Sequence, residues 1–230
     1  MFPESLHGLI PVPSSERVLV VVPSPSQRVS IIRCLSEHGI AAEPFGTPEA
    51  AIGSVTPTDV GCLAVEVANE VSELMRIAHR LSQRQASLEM VAWAKQTHGH
   101  EAFKMRIPAI ATFLTARPAM RELVKLIREA VSESIRQYTL RKRAELARQL
   151  LARLTAAESK ILELAAEGLP NKAICVRLDV SSRTVERRRN TALKKLGIRS
   201  IAEYAALRAW DESLKDWSER QPRRSAEFSG

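Results

Sequence analysis

The chain has 230 residues, 45% hydrophobic and 26% charged, with a formal net charge of +8, enough for one large domain or two small ones, each with its own core. Cys34, Cys62 and Cys175 lie far apart without metal-ligand spacing and read as free thiols of a reducing compartment, which excludes a disulfide scaffold or a cysteine metal cluster. No stretch approaches the ~18 apolar residues of a membrane span and no cationic segment leads into an apolar run at the N-terminus, so a cytoplasmic protein with no membrane partner is expected.

The elements follow in chain order. After Pro3, Pro11 and Pro13, residues 17–22 (RVLVVV) form a β-branched apolar run ended by Pro23 and Pro25, the pattern of a buried strand. Similar runs recur at 41–44, 61–67, 88–93 and 109–114, and segments of helical spacing lie between them at 26–38, 48–54, 70–85 and 98–105. This alternation predicts an α/β doubly wound domain over residues 16–130, a parallel five-stranded sheet with helices on both faces. From Pro118 to Gly168 there is neither Gly nor Pro, so one long helix, or two in tandem, joins the domains, with residues 131–153 as a helical linker. Along it Leu140, Ala144, Ala147, Leu151 and Leu154 recur at spacings of three and four, a stripe that pairs with a second copy in a homodimer or packs on its own domain.

The remaining charge pattern is uneven. Residues 1–140 carry 14 basic and 14 acidic side chains, and residues 141–230 carry 20 and 12, so the excess is C-terminal. Such a basic stretch attracts phosphate backbones or anionic surfaces, although Lys/Arg-rich helices are often only solvated faces. Position decides between the two. Thr155 and Glu158 have the spacing of a capping box that opens a helix closed by Gly168. Pro170-Asn171 starts a short helix with Ala173, Ile174 and Leu178 on one face, and residues 179–181 form a tight turn. Ser181 caps a third helix over 182–196, stopped by Gly197, and Ser200 with Glu203 opens a fourth through Trp210. Two short helices separated by about three residues are the geometry of a DNA-reading pair, in a four-helix unit over 154–210. On a helical wheel Val185, Ala192 and Leu196 share the inner face of the third helix, while Arg187, Asn190, Thr191 and Lys194 point away, flanked by Glu186 and Arg188. Arg189 falls near the core side, its head snorkelling outward.

The motif residues Leu154-Thr155, Glu158, Gly168, Asn171-Lys172, Ser181, Arg183-Thr184-Val185-Glu186, Lys195-Leu196-Gly197 and Ser200 resemble the LuxR-type helix-turn-helix of the NarL/FixJ response regulators. The resemblance implies a bundle whose third helix enters the major groove of double-stranded DNA and whose fourth commonly pairs subunits. Carried over by position, Glu186, Arg187 and Asn190 face base edges, while Lys172, Arg183, Thr184, Arg188 and Lys194 hold phosphates. Arg188 stands where the family usually has His, and Glu186 accepts from cytosine or orients Arg187 and Arg183.

Placed before such a module, the α/β region resembles the family's phosphoacceptor receiver domain but departs at its chemistry. Pro23 and Ser24 stand at the Mg²⁺-binding acidic pair, and Glu66 stands at the phosphoacceptor Asp. The fourth strand ends near Trp93-Ala94 without a hydroxyl, and Arg117-Pro118 replaces Lys-Pro. The expectation is a transcription regulator that needs no phosphorylation and no cofactor. Glu66 then either mimics a phosphorylated Asp or is a remnant, paired with Arg117 or solvated. The alternatives are a conventional phosphorylation switch, or an adaptor holding RNA polymerase or another regulator. His98-Gly-His100 lacks a third metal ligand, and with no Ser/His/Asp set or Gly-rich phosphate loop an enzyme is not expected. Residues 211–230 read as a polar tail, disordered beyond about Ser218.

Overall fold

A computed structural model describes residues 10, 12–13, 15–68, 71–95, 104–107, 110–114 and 116–220. Their contacts divide the chain into two units. One comprises Val12–Tyr138; the other comprises Met1–Pro11 together with Thr139–Gly230.

The N-terminal unit runs β1 (Ser15–Val21), α1 (Pro25–Glu37), β2 (Glu43–Phe45), α2 (Pro48–Gly53), β3 (Asp59–Val67), α3 (Val71–Gln83), β4 (Ser87–Ala94), β5 (Lys104–Ile107), β6 (Ile110–Leu114) and the first part of α4 (Met120–Leu151). The sheet order is β2-β1-β3-β4-β6-β5, parallel except for the antiparallel β5–β6 pair. Five strands thus make the expected parallel sheet, and β5 is an addition. Residues 104–105, expected at the end of a helix, are strand: they pair with Leu114 and Phe113 and cap the backbone groups that β6 would otherwise leave open at the edge. Residues 98–103 of that expected helix, including His98 and His100, lie outside the described residues.

Because side chains alternate along a strand, the sheet has two apolar faces. Val18, Val20, Cys62, Ala64, Val91 and Trp93 meet Ile31 and Leu35 of α1 and Val124 and Ile127 of α4, whereas Leu19, Val21, Leu63, Val65, Met90 and Ala92 meet Ile52 of α2 and Leu74 and Ile77 of α3. Burial pushes the Cys62 thiol up, as suits a core residue. At the starts of the strands the Arg17 guanidinium is bidentate on Glu43 (2.7 Å to each oxygen) and reaches Asp59 (3.1 Å), which also accepts from Ser15 Oγ and the Thr56 amide. Gly61, opposite Arg17 in β3, has φ +135°, and a Cβ there would lie 1.8 Å from the Arg17 carbonyl oxygen.

The C-terminal unit contains the rest of α4, then α5 (Ala156–Ala166), α6 (Asn171–Leu178), α7 (Ser182–Leu196) and α8 (Ile201–Arg220). One cluster packs Ala147 and Leu150 of α4 with Leu162, Ala192, Leu196, Tyr204 and Leu207; Leu151, Leu154 and Ile10 lie against it. A second packs Ile161, Leu164, Ile174 and Val185. Most of the stripe on the linker helix is therefore consumed by its own domain: Ala144 and Ala147 are buried, Leu151 and Leu154 are partly so, and only Leu140 is exposed. A homodimer built on that seam is not supported, because burying those methyls once removes the drive to bury them against a second copy. The last helix also corrects the expected tail. It continues ten residues beyond Trp210, through a segment free of Gly and Pro, with Arg208 bonded to Glu212 one turn on and Arg148 of α4 bonded to Asp211. Residues 221–230 lie outside the described residues. Among the described residues no helix is long and apolar enough to cross a membrane.

Candidate nucleic-acid interface

Local signals place each helix of the C-terminal unit. Thr155 and Glu158 form the reciprocal capping box at the start of α5, the Thr155 amide donating to Glu158 Oε2 (2.8 Å) and the Glu158 amide to Thr155 Oγ1 (3.3 Å). Gly168 (φ +87°) leads out of α5, and Asp179, left-handed at φ +51°, ends α6. Ser181 Oγ then accepts from the Thr184 amide (3.2 Å), and Gly197 at φ +68° ends α7. Ser200 Oγ accepts from the Glu203 amide as a cap should, but Glu203 returns its carboxylate to the Arg199 amide, one residue before the cap.

Val185, Ala192 and Leu196 of α7 are buried, so the opposite side of the helix is turned outward. Glu186, Arg187, Asn190, Thr191 and Lys194 are exposed on the outward face, with Arg183 exposed at its start and Lys172 exposed at the start of α6. Arg188 and Thr184 are half-buried, and the Thr184 hydroxyl is 2.9 Å from Ser181 Oγ, within the cap. Among the described residues no ion pair engages Glu186, Arg187 or Lys194. The face is a strip of guanidinium, amide, ammonium and carboxylate groups held out from a packed helix, the chemistry that reads base edges and phosphates.

Two contacts hold this helix to its neighbours, and neither was legible in the spacing. Lys195 Nζ donates to Glu158 Oε2 (2.8 Å), the same oxygen that takes the Thr155 amide, although Glu158 is only 6% exposed. The Lys195 ammonium, helped by that amide, holds the Glu158 carboxyl below the usual carboxylate range. Half-buried Arg189 donates to Asn171 Oδ1 of α6 (3.5 Å). A capping motif explains its glutamate fully in sequence, so nothing marks a lysine 37 residues later as the second partner.

Residues 152–207 match the model of the family described as bacterial regulatory proteins, luxR family. Within the C-terminal unit, residues 152–207 are a LuxR-type domain. The chain is also 24% identical over 199 residues to the transcriptional regulatory protein FixJ of Azorhizobium caulinodans, covering 85% of this chain and 92% of the relative. It is 23% identical over 191 residues to the response regulator protein TodT of Pseudomonas putida, covering 81% and 80%. The solved structure of the response regulator StyR superimposes with a TM-score of 0.70 at 23% identity, over 85% of this chain and 99% of that one. The unit preceding the LuxR-type domain thus has a receiver-like fold.

At the C-terminal edge of the receiver-like sheet, Pro23 is exposed and Ser24 Oγ lies 3.2 Å from Ser26 Oγ. The Arg28 guanidinium donates to the Val22 carbonyl (2.6 Å) beside them. Glu66 is 7% exposed, on the sheet face that bears Trp93. Trp93 Nε1 donates to Glu66 Oε1 (3.3 Å), and Glu66 Oε2 has no partner. Both expectations for a remnant carboxylate therefore fail: it is not solvated, and its partner is the Trp93 indole, not Arg117, which is exposed.

Proposed function

We infer that the protein is a DNA-binding transcription regulator that reads its site with α7 and does not depend on phosphorylation. The outward strip of Arg187, Asn190 and Lys194, exposed on a LuxR-type domain, carries this reading. FixJ, a transcriptional regulatory protein, and TodT, a response regulator, support it by similarity. In this assignment Glu186, Arg187 and Asn190 face base edges, and Lys172, Arg183, Arg188 and Lys194 hold phosphates; Thr184 adds a weaker contact, its hydroxyl being shared with the cap. Selecting bound sequences from random DNA with the purified chain tests it. A specific site whose affinity falls steeply with salt is expected, and a two-fold symmetric site marks binding as a homodimer. A chain that enriches no sequence refutes the reading.

Phosphorylation independence rests on the edge of the sheet. A hard, strongly hydrated Mg²⁺ needs charged oxygen ligands, but Pro23 supplies none and the Arg28 guanidinium places a fixed cation beside it. Glu66, one methylene longer than Asp, is turned into the sheet face against Trp93. The residues described there do not fit the ion. Incubation with acetyl phosphate and Mg²⁺ should leave the intact mass unchanged; an added phosphate overturns this part of the proposal. An adaptor role toward RNA polymerase or another regulator would survive Arg187→Ala with Asn190→Ala in cells, whereas the reading adopted predicts loss of the cellular effect.

A further inference from the structure

The outward face of α7 can discriminate bases only if its roll about the helix axis is held, because a roll of about 10° moves a group ~6 Å from the axis by ~1 Å. That displacement exceeds the spread of hydrogen-bond lengths. The apolar packing of Val185, Ala192 and Leu196 sets which face of α7 turns inward, but it is non-directional. Directional bonds resist a small roll better. At the C-terminal end of α7, Lys195 Nζ meets Glu158 Oε2 at 2.8 Å, and that oxygen is itself held by the Thr155 amide at 2.8 Å. The anchor is thus the first turn of α5, buried on one side, and the bond is charge-assisted and short. Lys194, the preceding residue, is exposed on the outward face. Lys195 is exposed as well, its side chain 37% accessible, but its ammonium is tied to Glu158, whereas Lys194 has no ion pair among the described residues.

We propose that Lys195 and Glu158 form a positioning pair that sets the roll of the reading helix, so that Lys195 contributes to sequence discrimination without touching DNA. This rests on the DNA-binding assignment above. The competing role for Lys195 is to bind a DNA phosphate, and the two roles differ in their consequences. If Lys195 bound a phosphate, Lys195→Met would lower the slope of log affinity against log salt by about 0.9 and weaken all sequences alike. In that case Glu158→Gln leaves affinity unchanged or improves it by freeing the ammonium. A positioning pair gives the opposite pattern: both variants lose roughly tenfold in discrimination between the selected site and scrambled DNA, the loss expected when one bidentate pairing with a base is misaligned. The salt slope and the scrambled-DNA affinity stay within error, the double variant is no worse than either single, and Lys195→Arg restores most of the discrimination.

The test uses the full chain, with thermal melting of each variant to establish that it is folded. If Glu158→Gln melts early through loss of its cap, Lys195→Met, which leaves the capping box intact, decides the matter. A changed slope with discrimination preserved, or equal loss on both DNAs, overturns the proposal. Backbone amide chemical shifts of the free protein provide a readout independent of DNA. Lys195→Met should shift resonances along α7 from Thr184 to Lys194, and shifts confined to residues next to 195 overturn the proposal even if the chain binds no DNA.

Discussion

Replacing Arg187 and Asn190 together by alanine tests the outward face most directly. Both side chains are exposed and neither contributes to the two apolar clusters of the C-terminal unit, so stability should change by no more than about 0.5 kcal/mol. Each good bidentate pairing with a base is worth about 1–3 kcal/mol of discrimination. Removing two costs about 2–6 kcal/mol, roughly a thirty-fold to twenty-thousand-fold fall in affinity for the selected site. Non-specific affinity behaves differently. Lys172, Arg183, Arg188 and Lys194 are the cations assigned to phosphates, which sets the salt slope at about −3.6 per subunit, and neither substituted residue is among them, so the slope should stay nearly unchanged. Fluorescence anisotropy with the selected duplex and a scrambled one, titrated at several salt concentrations, separates the two effects. The reasoning fails if the folded double variant still prefers the selected site, or if it loses both duplexes to the same extent.

Other outcomes follow from the receiver-like unit. Gly61→Ala places a Cβ 1.8 Å from the Arg17 carbonyl at a φ of +135°, so β1 and β3 must part at their starts; a loss of about 3 kcal/mol or more is expected as a lowered melting transition of the full chain. Glu66→Gln keeps an acceptor for Trp93 and removes a buried ionisable group, so melting should hold or rise by an equivalent of about 1 kcal/mol with DNA affinity unchanged. A fall in affinity of the folded variant would instead identify Glu66 as the mimic of a phosphorylated Asp. Acid should weaken both units. The Arg17 hydrogen bond lowers the Glu43 carboxyl; at Asp59 burial opposes the charge, but the bonds from Thr56, Ser15 and Arg17 outweigh it; and Lys195 lowers Glu158. Groups lowered in the folded state stabilise it above their unfolded values and lose that contribution as pH falls through the folded ones, so melting should be flat near neutrality and drop below about pH 4.

Local chemistry makes much of this protein legible in its sequence. Caps at Thr155 and Ser181 and the left-handed stop at Gly197 depend on bonds spanning only a few residues, and the inward face of Val185, Ala192 and Leu196 follows from helical periodicity alone. The alternation of β-branched runs and helical segments likewise specified the parallel sheet, since buried strands and their crossover helices differ in period. Other features depended on partners distant in sequence. The linker stripe was equally suited to a second copy or to its own domain, and only packing against Leu162, Tyr204 and Leu207 decided it. The edge hairpin at Lys104–Ile107 exists because β6 offers an open ladder, which no helical or strand period announces. Glu66 could be placed at the end of its strand from pattern, but its burial against the Trp93 indole required the neighbouring strand in register. Short-range hydrogen bonds and periodicity are encoded along the chain, so sequence determined the helices of the LuxR-type domain and the face it turns outward. The pairing of Lys195 with Glu158 and of Trp93 with Glu66 required the fold to close distances of 37 and 27 residues, and tertiary structure alone decided them.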